Sequence, residues 1–349
     1  MPRTSRISAL VGGIALLVAA CGGPGGGSVN RSGAFPITPG ANDRASITGS
    51  GSTFAAPIVR KWIDRYRRVA PGVSIEYRAV GSVVGLEQLT SGQVDFAASE
   101  LALTGGDVIR APWTAGGVAV AYNLPGLNTL NLSPATLAAI FSGRIARWDD
   151  PPIRADNQGM RMPSTEIRVV HRSQPSGTTQ VFTDFLERAA PEGWALGSGP
   201  SVAWPKGAGV EDSDGVISAV GRATGAVGYV EAGQAARAGL GIASIRNGAG
   251  RFVAPTGAGV ASAVGGANPE APAAYPIATV SYVAFSASDV QSARQTALRH
   301  FVAWVLTEGQ RFADEFGYAP VPLPVLITAI AIVQGGEGQE GRRPADGGR

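Results

Sequence analysis

Catalytic and nucleic-acid-binding hardware is sparse in this chain of 349 residues. There are two histidines, His171 and His300, no cluster of metal-ligand residues and no Gly-x-Ser-x-Gly elbow. A phosphatase or other esterase working through one of the Ser or Thr hydroxyls would lack an evident base or metal. His171, at a strand end beside Arg172, is of a kind more often structural than catalytic. No long Lys/Arg run exists; the pI is near 9.2, yet the formal net charge is only +3. Removing Arg3 and Arg6 with a leader leaves 27 basic against 26 acidic residues, which gives no support to a nucleic-acid partner. The Gly/Ser-rich stretches are followed by no Gly-Lys-Ser/Thr and lack dinucleotide-binding spacing, so nucleotide loops are excluded too. Charged residues are few at 16%, but hydrophobics at 44% argue for a folded body, and the length suggests about two domains. Past the amino terminus no apolar run reaches the ~18 to 20 residues of a membrane span; Leu326 to Val333 is too short.

Cysteine is present once, at position 21, and the amino terminus accounts for it. Arg3 and Arg6 make a basic start, Ala9 to Ala20 is apolar, and Val18-Ala19-Ala20-Cys21 places small residues ahead of the thiol. The pattern resembles the bacterial lipoprotein signal, in which the cysteine becomes the lipid-modified first residue. Residues 1–20 are then a signal peptide, and 21–41, rich in Gly, Ser and Pro, a flexible tether to a body at the cell membrane. The tail, 334–349, is dominated by Gly, Glu and Arg without periodicity and is expected to be disordered.

What the chain does have is a series of helix starts dressed with hydroxyls. His171-Arg172-Ser173-Gln174-Pro175-Ser176-Gly177-Thr178-Thr179 follows a short apolar strand and opens a helix marked by Val181, Phe182, Phe185 and Leu186. Unpartnered N–H groups, Ser and Thr hydroxyls and the Arg172 guanidinium could together seat an anion. A plain strand, turn and Ser-capped helix fits this stretch equally well. Thr48-Gly49-Ser50-Gly51-Ser52-Thr53-Phe54 leads into a second helix, with Pro57 in its first turn, a cap at Ser52 or Thr53, and Ile58, Trp62, Ile63, Tyr66 and Val69 on one face. Gly81-Ser82 opens a third, ahead of Leu86 and Leu89.

Strands are expected at Val73–Tyr77, Val94–Ala98, Gly117–Tyr122, Ile167–Val170, Gly225–Val230 and Val280–Phe285. Helices are expected from Ser133 to Phe141, from Asp214-Gly215 through Val220, and along Leu298, Phe301, Val302, Val305 and Leu306. A Gly/Ala/Pro-rich stretch from about Thr256 to Pro272 reads as a long surface loop. Alternating strands and helices indicate an α/β protein with mainly parallel sheets.

Four landmarks stand in a telling order: Gly49-Ser50-Gly51-Ser52-Thr53-Phe54, Gly81-Ser82, Val94-Asp95-Phe96-Ala97-Ala98-Ser99-Glu100, and Arg172 with Ser176-Gly177-Thr178. With Arg144 to Asp150, Trp204-Pro205-Lys206-Gly207 and Gly225 to Glu231 they resemble the phosphate-binding component of the bacterial phosphate ABC importer, the PstS family. The likeness runs from about Ala45 to Pro322.

The resemblance implies a two-lobed periplasmic-binding-protein fold of type II, with two crossover strands. One lobe would be 42–118 plus 278–333 and the other 119–277. It implies inorganic phosphate as ligand, held by Thr53, Phe54, Ser82, Glu100, Arg172, Ser176, Gly177 and Thr178, with no cofactor, metal or catalytic residue. The partners implied are the permease and ATPase subunits of an importer, serving a monomer anchored through Cys21. Sulfate or molybdate would be the alternative cargo. Three positions depart from the family pattern. Glu100 stands where Asp is usual, Gln174 where an Asp pairs with the arginine, and Pro175 where Gly precedes Ser-Gly-Thr. Losing the Asp at 174 should leave Arg172 less neutralised.

Overall fold

The computed structural model describes residues 40–101, 107–265, 271–288 and 292–333. The expected leader, the expected tether up to residue 39 and the tail from residue 334 lie outside the described residues, as do residues 266–270 of the expected loop.

The chain begins with β1 (Ala45–Gly51), α1 (Ala56–Tyr66), β2 (Val73–Arg78), α2 (Ser82–Thr90) and β3 (Phe96–Ser99). In β2 the residues alternate strictly, Val73, Ile75 and Tyr77 inward, as a strand with one wet face must. α1 buries Ile58, Val59, Trp62, Ile63 and Tyr66 along one stripe. Its start differs from expectation. Ala55, not Ser52 or Thr53, is the cap residue, and Ser52 Oγ accepts the Ala55 N–H at 3.0 Å in the turn before the helix.

β4 (Val108–Tyr122) is 15 residues long, far beyond the expected Gly117–Tyr122. After it come β5 (Asn131–Leu132), α3 (Pro134–Phe141), α4 (Pro151–Asp156), β6 (Arg168–Arg172), α5 (Gly177–Ala189) and β7 (Ala208–Val210). Then follow α6 (Ser213–Arg222), β8 (Ala226–Glu231), α7 (Ala232–Arg237), β9 (Gly241–Ile242), β10 (Ser244–Arg246) and β11 (Phe252–Val253). Side chains of Ser133, Ser176 and Asp212 cap α3, α5 and α6 by accepting the N–H three residues on, which satisfies a group the helix leaves unpaired. The chain closes with α8 (Gly257–Val264), β12 (Ala278–Ser286), α9 (Ala293–Leu306), two short 3-10 turns and α10 (Leu323–Val333). The expected loop from Thr256 therefore contains a helix, started by Thr256 accepting the Gly259 N–H at 3.1 Å. Neither α8 nor α10 was expected as an element.

One mixed sheet organises the body, in the order β2-β1-β3-β12-β4-β8-β6-β7 with β9 also on β4. Pairing is parallel at each end, between β1 and its neighbours and between β6 and its neighbours. In the middle it is antiparallel, where β12 pairs with β3 and β4, and β4 with β8 and β9. This corrects the expectation of mainly parallel sheets. The amino-terminal part of β4 pairs with β12 and its last residues, Val118 to Tyr122, with β8, so one strand carries the chain from one end of the sheet to the other. Between Ser281 and Tyr282 the β12/β4 register shifts, opposite Pro112. A proline has no N–H to give to the ladder, and a bulge is where a sheet tolerates one. Trp62, Trp113, Phe96 and Phe301 fill the core at one end, and Phe141, Phe182, Trp148 and Tyr229 at the other. Among the described residues no helix is long and apolar enough to cross a membrane.

Candidate anion-binding site

The carboxyl ends of β1, β3 and β6 meet the starts of α1, α2 and α5. Gly51, at the end of β1, has φ +124, and a Cβ there would lie 2.2 Å from the Ala98 carbonyl oxygen, so only glycine allows β1 and β3 to end this close together. The turn that follows carries Ser52, Thr53 and Phe54, all buried.

Glu100 follows β3 and is 8% exposed. Oε1 accepts hydrogen bonds from Ser52 Oγ at 2.7 Å and Ser281 Oγ at 2.8 Å, and Oε2 accepts one from Ser82 Oγ at 2.8 Å. Burial pushes its pKa above the usual carboxylate range, and the three serines offset only part of that. A carboxylate offers about four acceptor directions, and the serines fill three of them, two on Oε1 and one on Oε2. Beside Oε2 lies Gly177, the first residue of α5, where a Cβ would come within 2.4 Å of Oε2 and 2.6 Å of Ser82 Oγ.

Arg172 ends β6 and is 5% exposed. Nη1 donates to Thr53 Oγ1 at 3.2 Å and to Ser176 Oγ at 3.1 Å, and Nε donates to the Glu211 carbonyl at 2.8 Å. Its backbone N–H donates to Tyr229 Oη at 3.1 Å, so strand end and fork are both fixed. Burial lowers its pKa, opposed by Tyr229, Asp212 and Glu100, yet among the described residues no carboxylate comes within ion-pair distance of it. Gln174 is exposed, which agrees with a guanidinium left without its own anion. His171 is held structurally, its ring stacked on Trp204 with centroids 5.2 Å apart and Nδ1 placed 3.0 Å from the Arg172 carbonyl.

The structure thus brings Thr53, Arg172 and Ser176 together by hydrogen bonds, and Ser82, Glu100 and Gly177 by close contact. Phe54 and Thr178 are buried next to them in sequence. Sequence reasoning missed Ser52, Ser213, Gln234 and Ser281. Ser213 Oγ lies 2.9 Å from Thr53 Oγ1, and Gln234 Nε2 donates to the Thr53 and Phe54 carbonyls at 3.0 and 3.3 Å. Ser281 could have been suspected as a hydroxyl at a buried position of an apolar strand. Gly81 caps α2 without a side-chain hydrogen bond, so the first N–H groups of that helix have no local partner. A buried guanidinium, helix starts and one buried acceptor can hold a tetrahedral oxyanion that still carries a proton. Among the described residues no group of three or more His, Cys, Asp or Glu could hold a metal ion.

Comparison with known proteins places the chain in a family. A family model described as a PBP superfamily domain matches residues 36–308. The phosphate-binding protein PstS of Xylella fastidiosa is 32% identical over 326 residues, covering 86% of this chain and 89% of that protein. The chain belongs to the PstS family. Another member, phosphate-binding protein PstS 3 of Mycobacterium tuberculosis, is 30% identical over 94% of this chain and its own whole length. Among solved structures, a high-affinity periplasmic phosphate-binding protein bound with phosphate superimposes with a TM-score of 0.67 at 22% identity, over 82% of this chain and 93% of that one, and shares the α/β binding-protein fold.

Proposed function

We propose that this member of the PstS family binds inorganic phosphate between Arg172 and Glu100 and delivers it to a membrane ABC phosphate importer. It is a receptor, as a Vibrio cholerae structure described as an ABC-type phosphate transport receptor is, and not an enzyme. The observation that carries the reading is a buried acceptor and a buried guanidinium, without an ion-pair partner among the described residues, held on two sides of one site, each by several hydrogen bonds. Thr53, Ser82, Ser176 and Thr178 donate through hydroxyls, and Phe54 and Gly177 through backbone N–H groups. The lobes are 42–118 plus 278–333 and 119–277, and β4 and β12 cross between them. An acyl group on Cys21 holds the monomeric body outside the cell membrane.

Selectivity follows from Glu100. Phosphate near neutral pH still carries a proton to donate, whereas sulfate has none and, wherever Glu100 is ionised, would press bare oxygens against a buried anion, and such sites reject the wrong ligand by up to about 10⁴-fold. Titration calorimetry with both anions tests this. Glu100→Gln is expected to admit sulfate, and Arg172→Ala to weaken both anions by roughly 100-fold, the scale of a lost charge-assisted bond. Unchanged sulfate rejection in Glu100→Gln would remove the proposed role of the carboxylate, and phosphate-ester hydrolysis by the purified chain would replace the receptor reading altogether.

A further inference from the structure

α10 is a surface helix without a polar face. From Phe316 to Gly336 the sequence carries no charged residue. The helix buries Ala329, Ile330 and Val333 against the body, but Leu323 is 67%, Val325 38% and Ile327 52% exposed. The other exposed large hydrophobics among the described residues stand singly, Val80 in the loop after β2 and Phe252 on β11. Leu323, Ile327 and Ala331 recur every four residues and form an outward stripe flanked by Pro324 and Thr328, all of them exposed. A surface helix ordinarily turns charged residues to water, and a clustered apolar stripe marks a contact.

Where the chain enters the body says what that contact is. Gly40, the first described residue, packs against His300 of α9, whose Nδ1 lies 2.6 Å from Asp43 Oδ2. The preceding residue of the same helix, Arg299, donates through Nη1 to the Val333 carbonyl at the end of α10, at 2.6 Å. The entry point and α10 therefore lean on one helix at consecutive residues. Cys21 lies nineteen residues before Gly40. A Gly/Ser-rich tether of that length reaches about 24 Å on average. A body of this size is about 50 Å across. A lipid anchor at Cys21 would on average bias the α9/α10 side of the body toward the bilayer.

We infer that the uncharged stripe of α10, centred on Leu323 and Ile327, rests on the lipid surface and orients the tethered body. The inference builds on the lipid-anchor reading above. A stripe this small binds a bilayer weakly alone, but a tether raises its local concentration to about the millimolar range, enough for a weak contact to be occupied.

The test takes the mature chain as the cell processes it, with and without vesicles of phosphatidylglycerol and phosphatidylethanolamine. Intact mass decides acylation of Cys21 by itself, so failure of the anchor is seen separately. Amide exchange over residues 323–333 is then expected to slow by about fivefold on vesicles. The pair Leu323→Glu and Ile327→Glu is expected to lose that slowing while phosphate affinity stays unchanged. If this pair does not fold, shown by lost phosphate binding, Ile327→Trp with brominated lipid replaces it, and quenching of the new indole is the expected result. An acylated chain on vesicles with no slowing at 323–333 and no quenching overturns the inference. So does slowing that needs no vesicles and grows with protein concentration, which would assign the stripe to a second copy of the chain.

Discussion

Glu100 is the most heavily hydrogen-bonded side chain of the candidate site. Three serines from three different segments, Ser52, Ser82 and Ser281, converge on its two oxygens, and Gly177 gives up a side chain beside Oε2. That glycine sits in the first turn of α5, where alanine would otherwise favour the helix by up to about 1 kcal/mol. Gly177→Ala is expected to leave the fold intact but to offset that gain, because the added Cβ meets the buried Glu100 Oε2 and Ser82 Oγ, and Glu100 Cβ at 3.2 Å, rather than backbone. It should displace Glu100 and Ser82 and weaken phosphate by about 10- to 100-fold, the scale of one or two lost hydrogen bonds to a charged partner. Calorimetry paired with urea unfolding checks both halves, and full affinity in a folded Gly177→Ala chain would show that Gly177 does not border the ligand. At this scale much of the site was legible beforehand. Ser176 and Ser82 announce themselves by standing at helix starts, and Arg172 by ending the strand just before one, where chemistry is local. Ser281 and Gln234 did not, since each reaches the site from a distant part of the chain and no spacing in the sequence encodes such a contact.

Among elements, the short α7 does what no helix of the anion-binding turns does: it grips the backbone of one from outside. Glu231, fully buried at the end of β8, accepts the Gly233 and Gln234 N–H groups at 2.6 and 2.8 Å. Gln234 so fixed donates to the carbonyls of Thr53 and Phe54, and Tyr318 Oη adds a bond to the Phe54 carbonyl at 2.5 Å. Turning those carbonyls toward α7 sets the orientation of the peptides whose other side would meet the anion. Gln234→Leu is expected to cost about 1–3 kcal/mol of stability, from the Thr53 carbonyl left unpaired, and also to weaken phosphate binding by about tenfold. Reduced stability with undiminished affinity would make Gln234 structural only. The sequence announced β8 by its Gly225-to-Val230 run but gave no hint of this grip. The same limit explains the sheet. Strand existence followed from apolar runs, whereas the antiparallel pairing of β4 and β12 depends on which strands meet, and that is decided by tertiary packing. Helix α8 was hidden because Gly-Ala-Gly-Val-Ala-Ser-Ala-Val shows too little polar contrast to reveal a period.

Across the whole molecule, two buried carboxyls, Glu100 and Glu231, make stability depend on pH in an unusual direction. Burial pushes Glu231 up to about 7 despite its two backbone N–H bonds and Arg237, and it raises Glu100 as well. Each group holds its proton more tightly when folded than when unfolded. Below the ordinary carboxylate pKa, about 4.3 for Glu, both states are protonated and no penalty arises. As pH climbs from there the unfolded chain ionises first, the folded chain binds more protons, and stability falls until the folded group ionises too, near pH 7 for Glu231. For Glu231 the expected contribution is thus a stability that declines between about pH 4.5 and 7, and Glu100 adds a decline of the same sign, opposite to the usual gain from paired surface carboxylates. Chemical denaturation of the full chain at several pH values, beside Glu231→Gln and Glu100→Gln, isolates it. Each substitution should flatten the decline in proportion to the proton it removes, although Glu231→Gln also takes the side-chain acceptor from one backbone N–H and starts from a lower level. Phosphate adds stability by mass action wherever it binds the folded state alone, so the profile is to be measured in phosphate-free buffer first. If neither substitution changes the slope, the folded state does not hold these protons, and the buried environment drawn here for Glu100 is wrong.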